Sequence, residues 1–196
     1  LEALFTVDEE TGLTGAEGLA TDWLQSEILL NFDDEDEGEF CIGCAGGIDT
    51  TVALDYKKVP VEEDSLAFRL HVSGLKGGHS GDDINKGLGN ANKILNRILW
   101  RASREYGLRL ASIDGGNLRN AIAREATAVV TVPCTKEIEF RQLVSAMAEA
   151  IRFEFRSTEP DMQIKLDTID MPATLIDQES QDKLLNALYA CAHGVL

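Results

Sequence analysis

SLAFRLHVSGLKGGHSG, residues 65–81, reads as a strand that runs into a glycine-rich turn. Ser65 to Ser73 alternates polar and apolar side chains, the period of a strand with one buried face. Gly74, Gly77, Gly78 and Gly81 then place four glycines in eight residues, which implies tight backbone geometry around His79. No Gly-Lys-Ser/Thr follows, so a phosphate-binding loop is a poor reading.

Downstream, Ile84 to Tyr106 carries Leu88, Ala91, Ile94, Leu95, Ile98 and Leu99 at helical spacing. Leu108 to Ile113 and the β-branched run Ala126 to Val132 read as strands. Ile138 to Phe155 reads as a helix with Phe140, Leu143, Val144, Met147 and Ile151 on one stripe. Met162 to Ile169 alternates again and Pro172 closes it; a last helix is expected over Asp177 to Cys191. The order is β-α-β-β-α-β, the split ferredoxin-like arrangement of two helices on an antiparallel sheet.

Upstream the pattern changes. Leu1 to Val7 is apolar and ends in Asp8, Glu9 and Glu10. It is expected to be a buried strand, followed by a short helix from Thr14, as N-cap, to Leu24. Ile28 to Phe32 is expected as a second strand, giving a parallel α/β unit. Asp33 to Glu39 has six carboxylates in seven residues and reads as a solvated loop. Two pieces result: residues 1–45, the tail of an α/β domain, and residues 46–196, an α+β domain. The chain starts at Leu1 inside an apolar stretch, so a fragment of a longer protein is expected.

The composition narrows the function classes. Hydrophobic residues at 44% argue against disorder. Against 34 acidic residues stand 18 basic ones, a net charge of −16, which disfavours nucleic acid as a partner. No apolar run approaches the ~18 residues of a membrane span, so no membrane partner is expected, and nothing at the start reads as a secretory leader. Cys41 and Cys44 form a single C-x-x-C without the second pair of a zinc ribbon; with Cys134 and Cys191 they read as buried, reduced thiols.

Three stretches carry chemistry. Asp8-Glu9-Glu10 and Asp33 follow the two expected parallel strands, where α/β proteins place ligands. A divalent cation would relieve the repulsion among such carboxylates, and a neighbouring carboxylate could take a proton from bound water; a solvated acidic turn is the plainer reading. His79 among its glycines is exposed enough to donate to a ligand, or is a turn histidine without a role. Gly115-Gly-Asn-Leu-Arg-Asn120-Ala-Ile-Ala-Arg124 places two amides and two guanidiniums after a Gly-Gly turn, where an anionic oxygen such as a peptide carboxylate would bind, or is a β-turn with exposed basic residues. His71 reads as packing or solvent-facing, and His193 has no evident ligand partner.

Taken together, VDEETGLTGA, LNFDDEDEGEFCIGCAGGID, GLKGGHSG, GLGNANKIL and GGNLRNAI resemble the aminoacyl-histidine dipeptidases. These are cytosolic two-zinc enzymes, also called Xaa-His dipeptidases, in the wider group of carboxypeptidase G, peptidase T and the aminoacylases. The resemblance implies a cytoplasmic dipeptidase with two Zn2+ per complete subunit, other divalent metals being possible, and a small peptide as substrate. Residues 1–45 would be part of the catalytic zinc-site domain and residues 46–196 an incomplete lid domain that contributes to a homodimer. Glu9 would be the general base toward the zinc-bound water, Glu10 a ligand of one zinc and Asp33 a ligand of the other. His79 would donate to the carbonyl oxygen that becomes anionic, and Asn120 would reach the same oxyanion or the substrate carboxylate.

Two departures stand out. Ala123 occupies a position where the wider group usually has Pro. The His-x-Asp motif, the bridging Asp and the distant His of the family's zinc site are not in this chain, so it holds at most two of the five ligand side chains and is expected to be inactive alone. The alternatives are a non-catalytic relative whose α+β domain serves binding or dimerisation, and a related tripeptidase or aminoacylase.

Overall fold

The computed structural model describes residues 1–32, 38–39, 41–43 and 46–195, and of Glu10 and Thr11 only the backbone. It divides into two compact units, Leu1–Ile48 and Asp49–Leu196.

In the first unit the regular elements among the described residues are two single turns, α1 (Glu9–Gly12) and α2 (Thr14–Glu17). The strands expected at Leu1 to Val7 and Ile28 to Phe32 do not form. An apolar strand of the parallel type needs neighbours on its edges and both faces. The described residues of this unit supply none, and Phe5, Ile28 and Phe32 stay 90%, 79% and 88% exposed. The expected helix to Leu24 ends at Glu17, with Gly18 as its cap and no residue buried. Thr14 does not cap it: Leu13 holds that position, and the Thr14 hydroxyl donates to Asp8 Oδ2 at 2.8 Å.

In the second unit the chain runs β1 (Lys58–Val59), β2 (Ser65–Ser73), α3 (Ala91–Glu105), β3 (Arg109–Gly115), β4 (Ala126–Pro133), α4 (Glu137–Glu154), β5 (Gln163–Ile169), β6 (Leu175–Ile176) and α5 (Gln178–Ala190). Strands β3-β4-β2-β5 form a four-stranded sheet in that spatial order, every pair antiparallel. This is the β-α-β-β-α-β arrangement expected from the sequence. The pair β1 and β6 forms a separate small sheet that periodicity does not reveal, because two residues carry no period.

Alternation explains the core. Phe68, Leu70 and Val72 of β2 and Ala128, Val130 and Val132 of β4 are buried together with the stripes Ile94-Leu95-Ile98-Leu99 of α3 and Phe140-Leu143-Val144-Ile151 of α4. The rings of Phe68 and Phe140 meet at 5.4 Å across the sheet–helix boundary. Pairing Phe68 with Val130 and Leu70 with Leu166 puts these side chains in register; a slip of one residue would turn the apolar set toward water.

The long helix expected from Ile84 starts later, at Ala91. Ile84–Lys86 is a 3-10 turn, and Gly87 at φ +67° leaves the right-handed region. Asn90 then caps α3, its side chain accepting the Asn92 and Lys93 N–H groups at 3.0 and 3.4 Å, so a break and a cap divide one apolar period. Helix α5 closes the β3 side: fully buried Gln181 accepts the Leu110 N–H at 2.7 Å and donates to Leu108 O at 3.0 Å. Lys93 Nζ donates to the carbonyl oxygens of Leu188 and Tyr189 at 2.6 and 3.0 Å, satisfying the end of that helix. Cys41, Cys134 and Cys191 are free thiols and exposed rather than buried, since each lies outside the strands and long helices; Cys44 lies outside the described residues.

Candidate active site

The carboxylates of the first unit sit in a tight double turn. Asp8 adopts φ +60°, a left-handed conformation that Asp tolerates better than most residues. Its carbonyl accepts the N–H groups of Gly12 and Leu13 at 3.2 and 2.8 Å, so α1 starts at Glu9. Glu9 is exposed. Glu10 follows in the same turn, but its side chain lies outside what the structure describes, and Asp33 lies outside the described residues altogether.

The glycine-rich loop of the second unit is more fully determined. Gly78 and Ser80 hydrogen-bond across to the 120–122 segment: Ser80 N–H donates to Asn120 O and Ile122 N–H to Gly78 O, both at 2.8 Å. His79 and Ala121 form an isolated antiparallel bridge. The two backbone segments that carry His79 and Asn120, residues singled out in the sequence at positions 41 apart, are thereby brought alongside each other. Gly77 is at φ +68°, and a Cβ there would lie 2.4 Å from Arg124 Cγ, which makes that position one for glycine.

The His79 ring is half exposed. Its Nδ1 accepts the Gly81 N–H at 3.1 Å and the Asp82 N–H at 3.3 Å. With Nδ1 an acceptor, the neutral ring carries its proton on Nε2, which is therefore the donor. Asp83 fixes the backbone beneath: its Oδ2 accepts the His79 N–H at 2.6 Å, and Oδ1 pairs with Lys86. The Lys86 ammonium first, and then the His79 amide, hold the Asp83 carboxyl below its ordinary value. Asp83 was not singled out in the sequence; an acid four residues after the histidine in a glycine-rich turn is the signal that could have found it. Glu159, 2% exposed, also touches this loop, accepting the Lys76 and Gly89 N–H groups, each at 2.8 Å. No local pattern points to it, because its partners lie 83 and 70 residues away.

The basic groups of the third motif are committed elsewhere. Arg119 pairs with Asp49, and Arg124 Nε donates to Leu75 O at 3.2 Å. His71 Nδ1 meets Thr127 Oγ1 at 2.7 Å in the sheet, and His193 lies 3.2 Å from Leu88 O. Ala123 is buried and its carbonyl accepts the Ala91 N–H at 2.9 Å, a turn that holds without proline.

A structural zinc takes four donors, and a catalytic one takes three protein donors plus water. Among the described residues no cluster of three or more His, Cys, Asp or Glu side chains could hold a metal ion. The donors among the described residues do not by themselves fit a complete metal centre.

An exposed histidine donor on a glycine-rich loop, carried by a β-α-β-β-α-β unit, defines a class that comparison with known proteins makes specific. Residues 65–159 match the peptidase dimerisation domain. The cytosol non-specific dipeptidase of Escherichia coli (strain K12) is 42% identical over the whole chain, which spans 40% of that protein. The crystal structure of aminoacylhistidine dipeptidase from Vibrio alginolyticus is 38% identical with a TM-score of 0.80, covering 97% of this chain and 39% of that one. The resemblance to the aminoacyl-histidine dipeptidases read from the motifs is borne out along the chain, which spans about two fifths of these relatives' length, and the expected α+β fold is borne out by the match to the dimerisation domain.

Proposed function

We propose that the chain is part of a dipeptidase that hydrolyses Xaa-His and other short dipeptides, with residues 1–45 belonging to the catalytic domain and 46–196 to a lid. The observation that carries this reading is the 42% identity to a dipeptidase over all 196 residues. Glu9 carries the proton from the attacking water to the leaving amine. His79 donates its Nε2–H to the carbonyl oxygen as that oxygen gains negative charge, and Asn120 supports the same oxyanion or the substrate carboxylate. Glu10 and Asp33 are this chain's share of a divalent-metal donor set, Zn2+ being the ion the resemblance implies. The name of the curated relative supports a cytoplasmic location, and no helix among the described residues is long and apolar enough to cross a membrane.

The match of residues 65–159 to a dimerisation domain also supports a homodimer built through the α+β unit. A non-catalytic binding role for that unit is the second reading.

The deciding experiment measures metal content and Xaa-His hydrolysis in the full-length protein and in Glu9→Gln. Retained metal with turnover lowered by roughly 10²–10⁴-fold is the expected result. A full-length protein that binds no metal and cleaves no dipeptide would leave the binding role standing. Light scattering of the same protein reads the dimer.

A further inference from the structure

Glu159 is a carboxylate with no place in the reading above, and its surroundings are unusual. It is 2% exposed, yet its oxygens meet two backbone amides rather than a cation: Oε2 accepts from Lys76 and Oε1 from Gly89, both at 2.8 Å. A buried carboxylate is costly unless its oxygens are hydrogen-bonded, and here each oxygen is. Lys76 and Gly89 are the two shoulders of the loop that carries His79. Glu159 is itself held in the turn after α4, its N–H donating to Phe155 O at 2.8 Å and its carbonyl accepting the Met162 N–H at 3.3 Å. The far shoulder lies close against it, for a Cβ at Gly89 would be 3.3 Å from Glu159 Cγ and 3.0 Å from Leu75 Cδ2.

These two bonds belong to no strand ladder or helix. They close the loop at its base, while the bonds of Gly78 and Ser80 to the 120–122 segment and of His79 to Asp83 shape its tip. We propose that Glu159 is a positioning residue, clamping both shoulders of the loop so that the Nε2–H of His79 is presented in one place. The requirement is for two acceptors at once. A glutamine would satisfy one amide and turn its own NH2 group against the other.

The inference rests on His79 acting on the substrate. It is tested in the full-length protein with a Xaa-His dipeptide, comparing the parent, Glu159→Gln, His79→Ala and the double variant. Glu159→Gln is expected to lower kcat at least roughly tenfold with a smaller change in KM, since small displacements of a catalytic group are costly. Once His79 is gone the clamp has nothing to position, so the double variant should be no slower than His79→Ala. Should Glu159→Gln fail to fold, Gly89→Ala, which presses the shoulder against Leu75 and Glu159, is expected to show the same kcat loss and the same dependence on His79. A lowered melting temperature with unchanged kcat, or losses that multiply in the double variant, would overturn the clamp while leaving His79 in its role. Parent-like kcat in His79→Ala would overturn the role of His79 and the clamp with it.

Discussion

The two units of this chain treat the same kinds of residues differently. In Leu1–Ile48 the large apolar side chains Phe5, Trp23, Ile28, Leu30 and Phe32 are exposed and the helices are single turns. In Asp49–Leu196 the side chains of similar size, Phe68, Leu70, Leu99 and Phe140, are fully buried between two long helices and a four-stranded sheet. Apolar content is therefore not what separates them. An apolar segment becomes a strand only when partners cover its edges and faces, and among the described residues only those of the second unit supply such partners.

The contrast can be broken most directly by separating the units. Residues 49–196 are expected to melt in one cooperative transition followed by circular dichroism, and residues 1–48 to show none. A sharp transition in the shorter piece would overturn the comparison.

Point substitutions sharpen it. Phe140→Ala should cost about 3–5 kcal/mol in chemical denaturation, because it empties a filled site against Phe68. Phe5→Ala, the same chemistry at a residue 90% exposed, should stay within about 0.5 kcal/mol. Equal effects would mean that the two phenylalanines are buried alike. Asn90→Ala is expected to cost about 1 kcal/mol, by leaving the first amides of α3 without their cap.

The smallest effect is a pH dependence. Asp177 accepts the Lys57 N–H at 2.8 Å and caps α5 through the Ser180 N–H at 3.1 Å. The Lys57 amide first, and then Ser180, pull its carboxyl from the ordinary 3.8 down to about 2. A depressed folded-state value means that the ionised group stabilises the fold fully above its unfolded value and that this contribution is lost as pH falls through about 2. Unfolding curves of the second unit between pH 5 and pH 2 should therefore flatten in Asp177→Asn. An unchanged acid limb would show that the carboxylate contributes nothing there.

Much of this was legible in the sequence, and the reason is the range of the interactions involved. Alternation and helical stripes placed the four strands of the large sheet and both long helices of the second unit to within a few residues at most ends, because one-sided burial imposes a period on the chain itself. The Ile84 boundary was misread since an apolar stripe continues through Gly87 and Asn90, where backbone conformation and a cap outweigh it. The expected strands of the first unit were misread for a related reason: hydrophobicity says that a segment wants cover, not that cover is present.

The glycine-rich setting of His79 and the amide of Asn120 were visible as motifs. By itself the sequence determined the β-α-β-β-α-β order, the acidic balance and the residues that carry the dipeptidase resemblance, all of them local or compositional properties. Only the tertiary structure decided that the segment of Asn120 pairs with that of His79, that Nδ1 of His79 accepts and so leaves Nε2 to donate, and that Glu159 closes the loop from 70 and 83 residues away. Hydrogen bonds across such separations leave no period in a sequence, because chain folding rather than spacing brings their partners together.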